Sequence, residues 1–338
     1  MNRFHYPASL LIISAALFGS ACIRRVSVPP VLPTDEIIST DDLINRVNAY
    51  DKVKTLGLQC TVSVRNYFTG VASKADDFPA GDGLVRLKKP ENILMKVTAP
   101  VLNSPVADMV SDGKTFRLAL YFPRDRKRFL FGSNLKDYER IGADESHESD
   151  NPDVAKAGGL VNMRPQHVTD ALAIKPILLS DGVQVFREEL KQDESDRNKR
   201  RVIKSYSVLY VVERNEKGIF ELRRKLWFDR TQHGTPLTRL QIFDNGSGRL
   251  ASEVTYSEWA KVGSSDLPWP TKIVINRAND GYQMTLILEK ELIEPDLELP
   301  STTFILENTH KFEEIDLDAP RKSSAGQVRK PGQNQSNR

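Results

Sequence analysis

Leu58-Gln59-Cys60-Thr61-Val62-Ser63-Val64-Arg65 alternates apolar and polar side chains without a break. Successive side chains of a strand point to opposite faces, so the octet reads as a half-buried β-strand with Leu58, Cys60, Val62 and Val64 inward. The two-residue period recurs downstream. Gly83–Lys88, Ile93–Val97, Val106–Ser111 and Phe116–Phe122 follow at short spacing, with Asp112-Gly113 as the turn between the last two. Lys127–Phe131 is a shorter strand. After an interruption the pattern returns at Tyr206–Glu213, Phe220–Asp229, Thr238–Phe243, Glu253–Lys261, Lys272–Asn276 and Gln283–Glu289. Asn245-Gly246 and Asp280-Gly281 have the chemistry of hairpin turns. The body of the chain is therefore mainly β, an antiparallel meander.

One helical pattern precedes it and another interrupts it. Leu43, Val47 and Tyr50 recur at helical spacing, with Thr40 or Asp41 as N-cap and Gly57 as the stop. Arg164–Leu179 reads as a short helix, with Pro165 in its first turn and Pro176 ending or kinking it. Three polar stretches flank these elements. Residues 133–159 are expected to form a mobile acidic loop, residues 188–201 an exposed hairpin tip or loop, and residues 311–338 a disordered tail. The acidic run Glu145–Asp153 lacks the spacing of a calcium loop.

The amino terminus carries an export signal. Arg3 precedes the apolar run Ala8–Phe18, and Gly19-Ser20-Ala21 leads to Cys22. The run is shorter than the roughly 20 residues that span a bilayer and fits a cleaved secretory segment over residues 1–21. Cys22 then stands where bacterial lipoproteins are acylated; ordinary cleavage that leaves Cys22 incidental is the alternative. Residues 22–38, with Pro29, Pro30 and Pro33, read as an extended tether. Ile23 is not an aspartate, which makes the outer membrane, facing the periplasm, the expected location.

Composition narrows the function. Of 338 residues 39% are hydrophobic and 28% charged, enough for a core but not for a multi-span membrane protein. A net charge of +3 does not suggest a nucleic-acid partner. Two cysteines allow at most one disulfide, and an acylated Cys22 could not pair with Cys60. The five histidines, His5, His147, His167, His233 and His310, are isolated, and His167 beside Asp170 reads as a salt-linked surface residue. No hydrolase, phosphate-loop, dinucleotide or zinc pattern stands in a suitable context, so neither enzyme activity nor a cofactor or metal is expected.

The order of elements, together with Gly83-Leu84-Val85-Arg86-Leu87-Lys88-Lys89-Pro90, Val110-Ser111-Asp112-Gly113-Lys114-Thr115, Pro270-Thr271-Lys272-Ile273 and Leu297–Leu306, resembles the LolA/LolB-like superfamily of periplasmic lipoprotein carriers and outer-membrane lipoprotein receptors. The resemblance spans roughly residues 40–306. It implies, for residues 39–310, an α+β fold: an incompletely closed antiparallel β-barrel, a half-barrel, with helices packed as a lid in its concave mouth and acyl chains held between. The candidate lining is Leu58, Val62, Ile93, Met95, Phe116, Leu118, Phe220, Leu222, Leu240, Ile242, Val254, Ile273, Leu286 and Leu288. Lys89 takes the place of the carriers' lid-holding arginine, whose bidentate fork a lysine does not reproduce. Val101 and Leu102 correspond to the membrane-contacting hairpin of the receptors. The inserts and tail imply a relative with a different partner. Two functions remain open: binding of lipid or a lipoprotein's acyl chains, in trafficking to the outer membrane, or a non-catalytic envelope scaffold that binds a protein partner. Either would be attached to the membrane through the N-terminal lipid.

Overall fold

Thr55–Asn66, strand β1, is where the two halves of the chain meet. The computed structural model describes residues 28–67, 76–77, 80–100, 103–121, 127–134, 136, 163–196, 198–262 and 265–319. On one side β1 pairs with β3 (Gly81–Lys88), which leads through β4 (Asn92–Thr98), β5 (Pro105–Ser111), β6 (Thr115–Leu120) and β7 (Arg128–Ser133). On the other side it pairs with β14 (Tyr282–Leu288), which leads back through β13 (Ser265–Arg277), β12 (Leu250–Val262), β11 (Leu237–Phe243), β10 (Phe220–Asp229) and β9 (Arg201–Arg214) to β8 (Val183–Ser195). The pairs β2 (Asp76–Asp77) and β15 (Glu294–Pro295) flank β1. All these neighbours are antiparallel. β16 (Glu313–Asp316) adds to β7 in parallel. The result is one large sheet that does not close, with β8 and β16 at its ends.

The alternation fixes the register. Cys60 faces Gly83 on one neighbour and Leu288 on the other, which puts Leu58, Cys60, Val62 and Val64 in one buried row. Gly83 is required there: a Cβ would lie 2.5 Å from Val62 Cγ2 and 2.8 Å from Cys60 Sγ. Burial pushes the Cys60 thiol up to about 12, with Glu289 adding to the effect, so it behaves as a small apolar side chain. At the Asp112-Gly113 turn, Gly113 has φ +89° and packs against Glu91.

Two helices pack on the inner face of the sheet. α1 (Thr40–Ala49) buries Leu43, Ile44 and Val47, and α2 (Pro165–Leu172) buries Val168, Ala171 and Leu172, all in one core with the strand side chains. Ser39, not Thr40 or Asp41, caps α1 by accepting from the Asp42 amide at 3.1 Å. α1 passes through a single 3-10 turn and gives way to β1 at Thr55, so Gly57 lies inside the strand instead of ending the helix. α2 stops at Leu172, and Ala173–Leu179 continues without helix.

Of the two readings of residues 188–201 the hairpin holds and the loop does not, and two further expectations are corrected. Glu188–Ser195 belong to β8, Arg201 begins β9, and Asp196 N donates to Arg200 O at 2.8 Å across the tip. Their charges pair across or along the hairpin, Lys204 with Glu194 at 3.6 Å and Arg187 with Glu189 at 2.5 Å. Residues 311–319 of the expected tail belong to the fold, because Ile315 and Leu317 pack against the core and β16 extends the sheet. The tether is docked from residue 30 onward. Leu32 N donates to Ile203 O (3.0 Å), Ile203 N to Pro30 O (2.9 Å) and Asp35 N to Arg230 O (2.7 Å), so these residues take a strand's place beside β9 where β10 ends. Cys22, Val101, Leu102 and most of the 133–159 insert lie outside the described residues.

Candidate functional site

The carboxyl end of α1 stands over one end of the sheet and leaves a cavity there of about 580 Å³. Val47, Ala49 and Tyr50 form its helical wall. Phe228 from the end of β10, the turn 232–236, Leu237, Trp259, Leu267 and Pro268 form the rest. Arg46, Gln232 and His233 are the guanidinium, amide and imidazole side chains of the lining. Trp259 Nε1 and Thr235 Oγ1 are buried without a hydrogen-bond partner, which leaves two polar atoms unsatisfied among the cavity-lining residues.

Several contacts hold α1 above this space. Tyr50 Oη donates to Pro268 O at 3.0 Å, and its ring stands edge-on to Trp269 at 5.4 Å. Arg46 donates to Gly234 O, and the Asp35 carboxylate accepts from the Gly234 amide at 2.9 Å, so the docked tether braces the same turn. Lys89 Nζ donates to Tyr50 O. Burial lowers the Lys89 ammonium below its ordinary value, with Asp51 acting in the opposite sense. Asn48 exchanges two hydrogen bonds with Ile177, Nδ2 to O at 3.0 Å and N to Oδ1 at 2.7 Å, which ties α1 to the segment after α2.

α2 has its own anchors. Tyr256 Oη donates to Ala171 O at 2.8 Å. The Arg224 guanidinium donates to Lys175 O at 2.6 Å and Pro176 O at 3.2 Å. His167 Nδ1 is hydrogen-bonded to Tyr282 Oη and is buried beneath the helix, not on the surface. Sequence reasoning missed Arg224 because β10 carries a bulge between Leu222 and Arg224. The bulge reverses the facing of the strand, so Arg224 points inward with Leu226 and Phe228.

The same bulge misplaces two expected lining residues. Phe220 and Leu222 pair with Arg214 and Val212 on the outer face, where Arg214 stacks on the Phe220 ring at 4.8 Å. Leu58, Val62, Ile93, Met95, Phe116, Leu118, Leu240, Val254, Ile273, Leu286 and Leu288 face inward but are buried, and none of them lines the apolar cavity. Ile242 is half-buried at the rim of a separate polar cleft. The apolar cavity is formed by the end of α1 and the strand ends around it. The nearest sequence signal was the helical spacing of Val47 and Tyr50.

Solved structures similar to the chain cover more than three quarters of its length. The chain is similar to a LolA superfamily protein from Nitrosomonas europaea, at 15% identity over 80% of this chain and 99% of that one, with a TM-score of 0.38. A DUF1329 family protein from Desulfovibrio piger matches at 12% identity over 78% and 95% of the two chains, with a TM-score of 0.40. A domain from Vibrio parahaemolyticus described as outer membrane lipoprotein-sorting matches at 9% over 77% and 95%, with a TM-score of 0.37. These likenesses concern the arrangement of elements alone. No family model matches the chain, and no curated protein does. No helix among the described residues is long and apolar enough to cross a membrane.

Proposed function

We propose that the protein is a non-catalytic lipoprotein of the bacterial envelope that takes an acyl chain, or another flexible apolar group, into the cavity beside α1, with α1 and α2 acting as a lid on the half-barrel. The observation that carries this reading is the cavity itself. Its volume of about 580 Å³ and its wall of Val47, Tyr50, Phe228, Leu237, Trp259 and Leu267 suit a hydrocarbon chain. Each buried methylene contributes roughly 0.8 kcal/mol, so affinity needs no directional contacts. The unpartnered Trp259 Nε1 offers one donor to an ester or carboxyl oxygen.

Pro30, where the docked stretch begins, stands eight positions after Cys22. Fully extended, those eight steps reach about 28 Å, which keeps an acylated Cys22 within that distance of the docked tether.

The packed inner face favours a second reading, a scaffold that binds a protein, since most of the expected lining is filled core. Lipid extraction and native mass spectrometry of the mature chain purified from a membrane-containing host separate the two. Stoichiometric bound lipid, displaced by a fluorescent fatty acid, is the expected result. Ala49→Phe projects a ring into the cavity and is expected to weaken the fatty-acid probe about tenfold or more while the protein remains folded. A lipid-free protein that ignores the probe would overturn the acyl-binding reading and leave the scaffold.

A further inference from the structure

The end of the sheet away from the apolar cavity holds a second cleft, of about 510 Å³, with the opposite chemistry. Leu267 lines the first cavity and Arg277 the second, both on β13. Ten residues of strand place them roughly 33 Å apart. A single acyl lipid does not fill both, and buried core separates them.

Four arginines from four different elements line the cleft: Arg164 at the N-cap of α2, Arg223 at the β10 bulge, Arg249 in the turn before β12 and Arg277 at the end of β13. Lys136 is a fifth cation, and the carboxylates of the lining are Asp170, Asp244 and Asp280. Those charges are unevenly matched. Arg277 is hydrogen-bonded to Asp280, Lys175 from outside the lining lies 3.5 Å from Asp170, and Lys136 is paired with Asp318 at 3.4 Å. Arg164 lies over the Phe116 ring at 5.7 Å. Arg223 Nη1, by contrast, is buried with no hydrogen-bond partner. A buried guanidinium N–H without an acceptor is costly and marks a place where an acceptor belongs.

Two more features point to the same ligand. The N-cap of α2 is an arginine that makes no side-chain cap hydrogen bond; the His167 amide donates to Arg164 O at 3.1 Å, and the first residues of this eight-residue helix, at its positive end, line the cleft. Gln166 Oε1 and Asn134 Oδ1 are also buried and unpartnered in the lining, and they can accept from a hydroxyl.

We infer that this cleft is an anion site for a phosphate monoester. The guanidinium fork matches phosphate oxygens, and a phosphate group near neutral pH carries close to two charges, which several converging cations favour over a single carboxylate. Arg223 and Arg249 would hold the phosphate oxygens, and Gln166 would accept the P–OH of the singly protonated form. The phosphate could be free in solution or borne on a lipid headgroup.

Calorimetric titration of the full mature chain, at fixed ionic strength in chloride, tests the site with two probes: inorganic phosphate and water-soluble dihexanoyl phosphatidic acid, with dihexanoyl phosphatidylcholine as the control. Saturable binding of at least one phosphate probe is expected, weakened about tenfold by Arg223→Gln and abolished by Arg223→Gln combined with Arg249→Gln. The exposed-turn variant Arg249→Gln keeps the test meaningful if the buried substitution fails to fold. Preference for phosphatidic acid would assign a headgroup, and equal binding of both probes a soluble phosphate. Ala49→Phe should leave phosphate binding unchanged, which separates this site from the apolar cavity. The absence of saturable heat with either probe, equal binding of phosphatidylcholine, or Arg249→Gln binding phosphate as the parent does would overturn the inference.

Discussion

His167 shows how one side chain can couple the packing of α2 to pH. It lies under α2, with Nδ1 on Tyr282 Oη and Nε2 3.9 Å from Asp280, and Arg277 and Arg164 are close by. Burial, reinforced by those two arginines, holds the imidazole well below its ordinary value of 6.5. The folded state therefore keeps His167 neutral while the unfolded chain binds the proton more readily. Above pH 6.5 both states are neutral and the fold loses nothing. As pH falls below 6.5 the unfolded state gains protons first, and stability drops by up to about 1.4 kcal/mol per pH unit until the folded-state value is reached. The urea midpoint of the parent chain should thus fall between pH 7 and pH 5.5 by more than that of His167→Gln, whose amide can keep a hydrogen bond to Tyr282. Parallel decline of the two proteins would remove His167 as the sensitive group.

At the scale of elements, what was legible depended on whether a local pattern survived its neighbours. The alternation at Leu58–Val64 and the Asp112-Gly113 turn are read straight from residues because their periodicity and turn chemistry are complete within a few positions. β8 was hidden because a strand at the edge of a sheet can be charged on both faces. Glu194 is satisfied by Lys204 and Arg239, neighbours that no linear reading supplies. β10 looked like one uninterrupted strand, and nothing in Phe220–Asp229 announces the extra residue that reverses it. The apolar cavity was illegible for a similar reason, since turn 232–236 meets α1 only in three dimensions. The bulge has a consequence that can be measured. Arg224 bonds two carbonyls beyond α2, so Arg224→Ala leaves them without those donors and should cost about 1–3 kcal/mol. Hydrogen exchange should quicken over residues 165–177 in this variant. Lys89→Ala, which releases Tyr50 O, should instead quicken exchange over residues 40–52. Identical exchange maps would show that the two helices open as one unit and that neither contact is a separate latch.

The whole molecule is an open sheet with an apolar end under α1, a cationic end beside α2, and two free edges to manage. β16 covers one of those edges. Arg128–Ser133 of β7 reads Arg-Phe-Leu-Phe-Gly-Ser, and an uncovered strand of this kind is a template for pairing with another chain. β16 lies parallel against it, Leu317 N donates to Phe131 O at 3.0 Å, and Arg128 pairs with Glu313 at 3.2 Å. Upstream of the strand, Tyr121, His310 and Phe312 pack ring on ring at 5.3–5.5 Å, which fixes the approach of the carboxyl-terminal segment. This segment therefore works as an intramolecular edge guard. A chain ending at Asn308 loses β16 together with the burial of Ile315 and Leu317, worth about 1–3 kcal/mol, and exposes the β7 edge. Light scattering and size-exclusion chromatography should show it associating with rising concentration and melting below the parent, while a chain ending at Ala319 should remain as stable and as monodisperse as the full one. Should the chain ending at Asn308 match the longer one in both respects, β7 needs no guard, and the unpaired β8 edge would be the place to look for a partner strand.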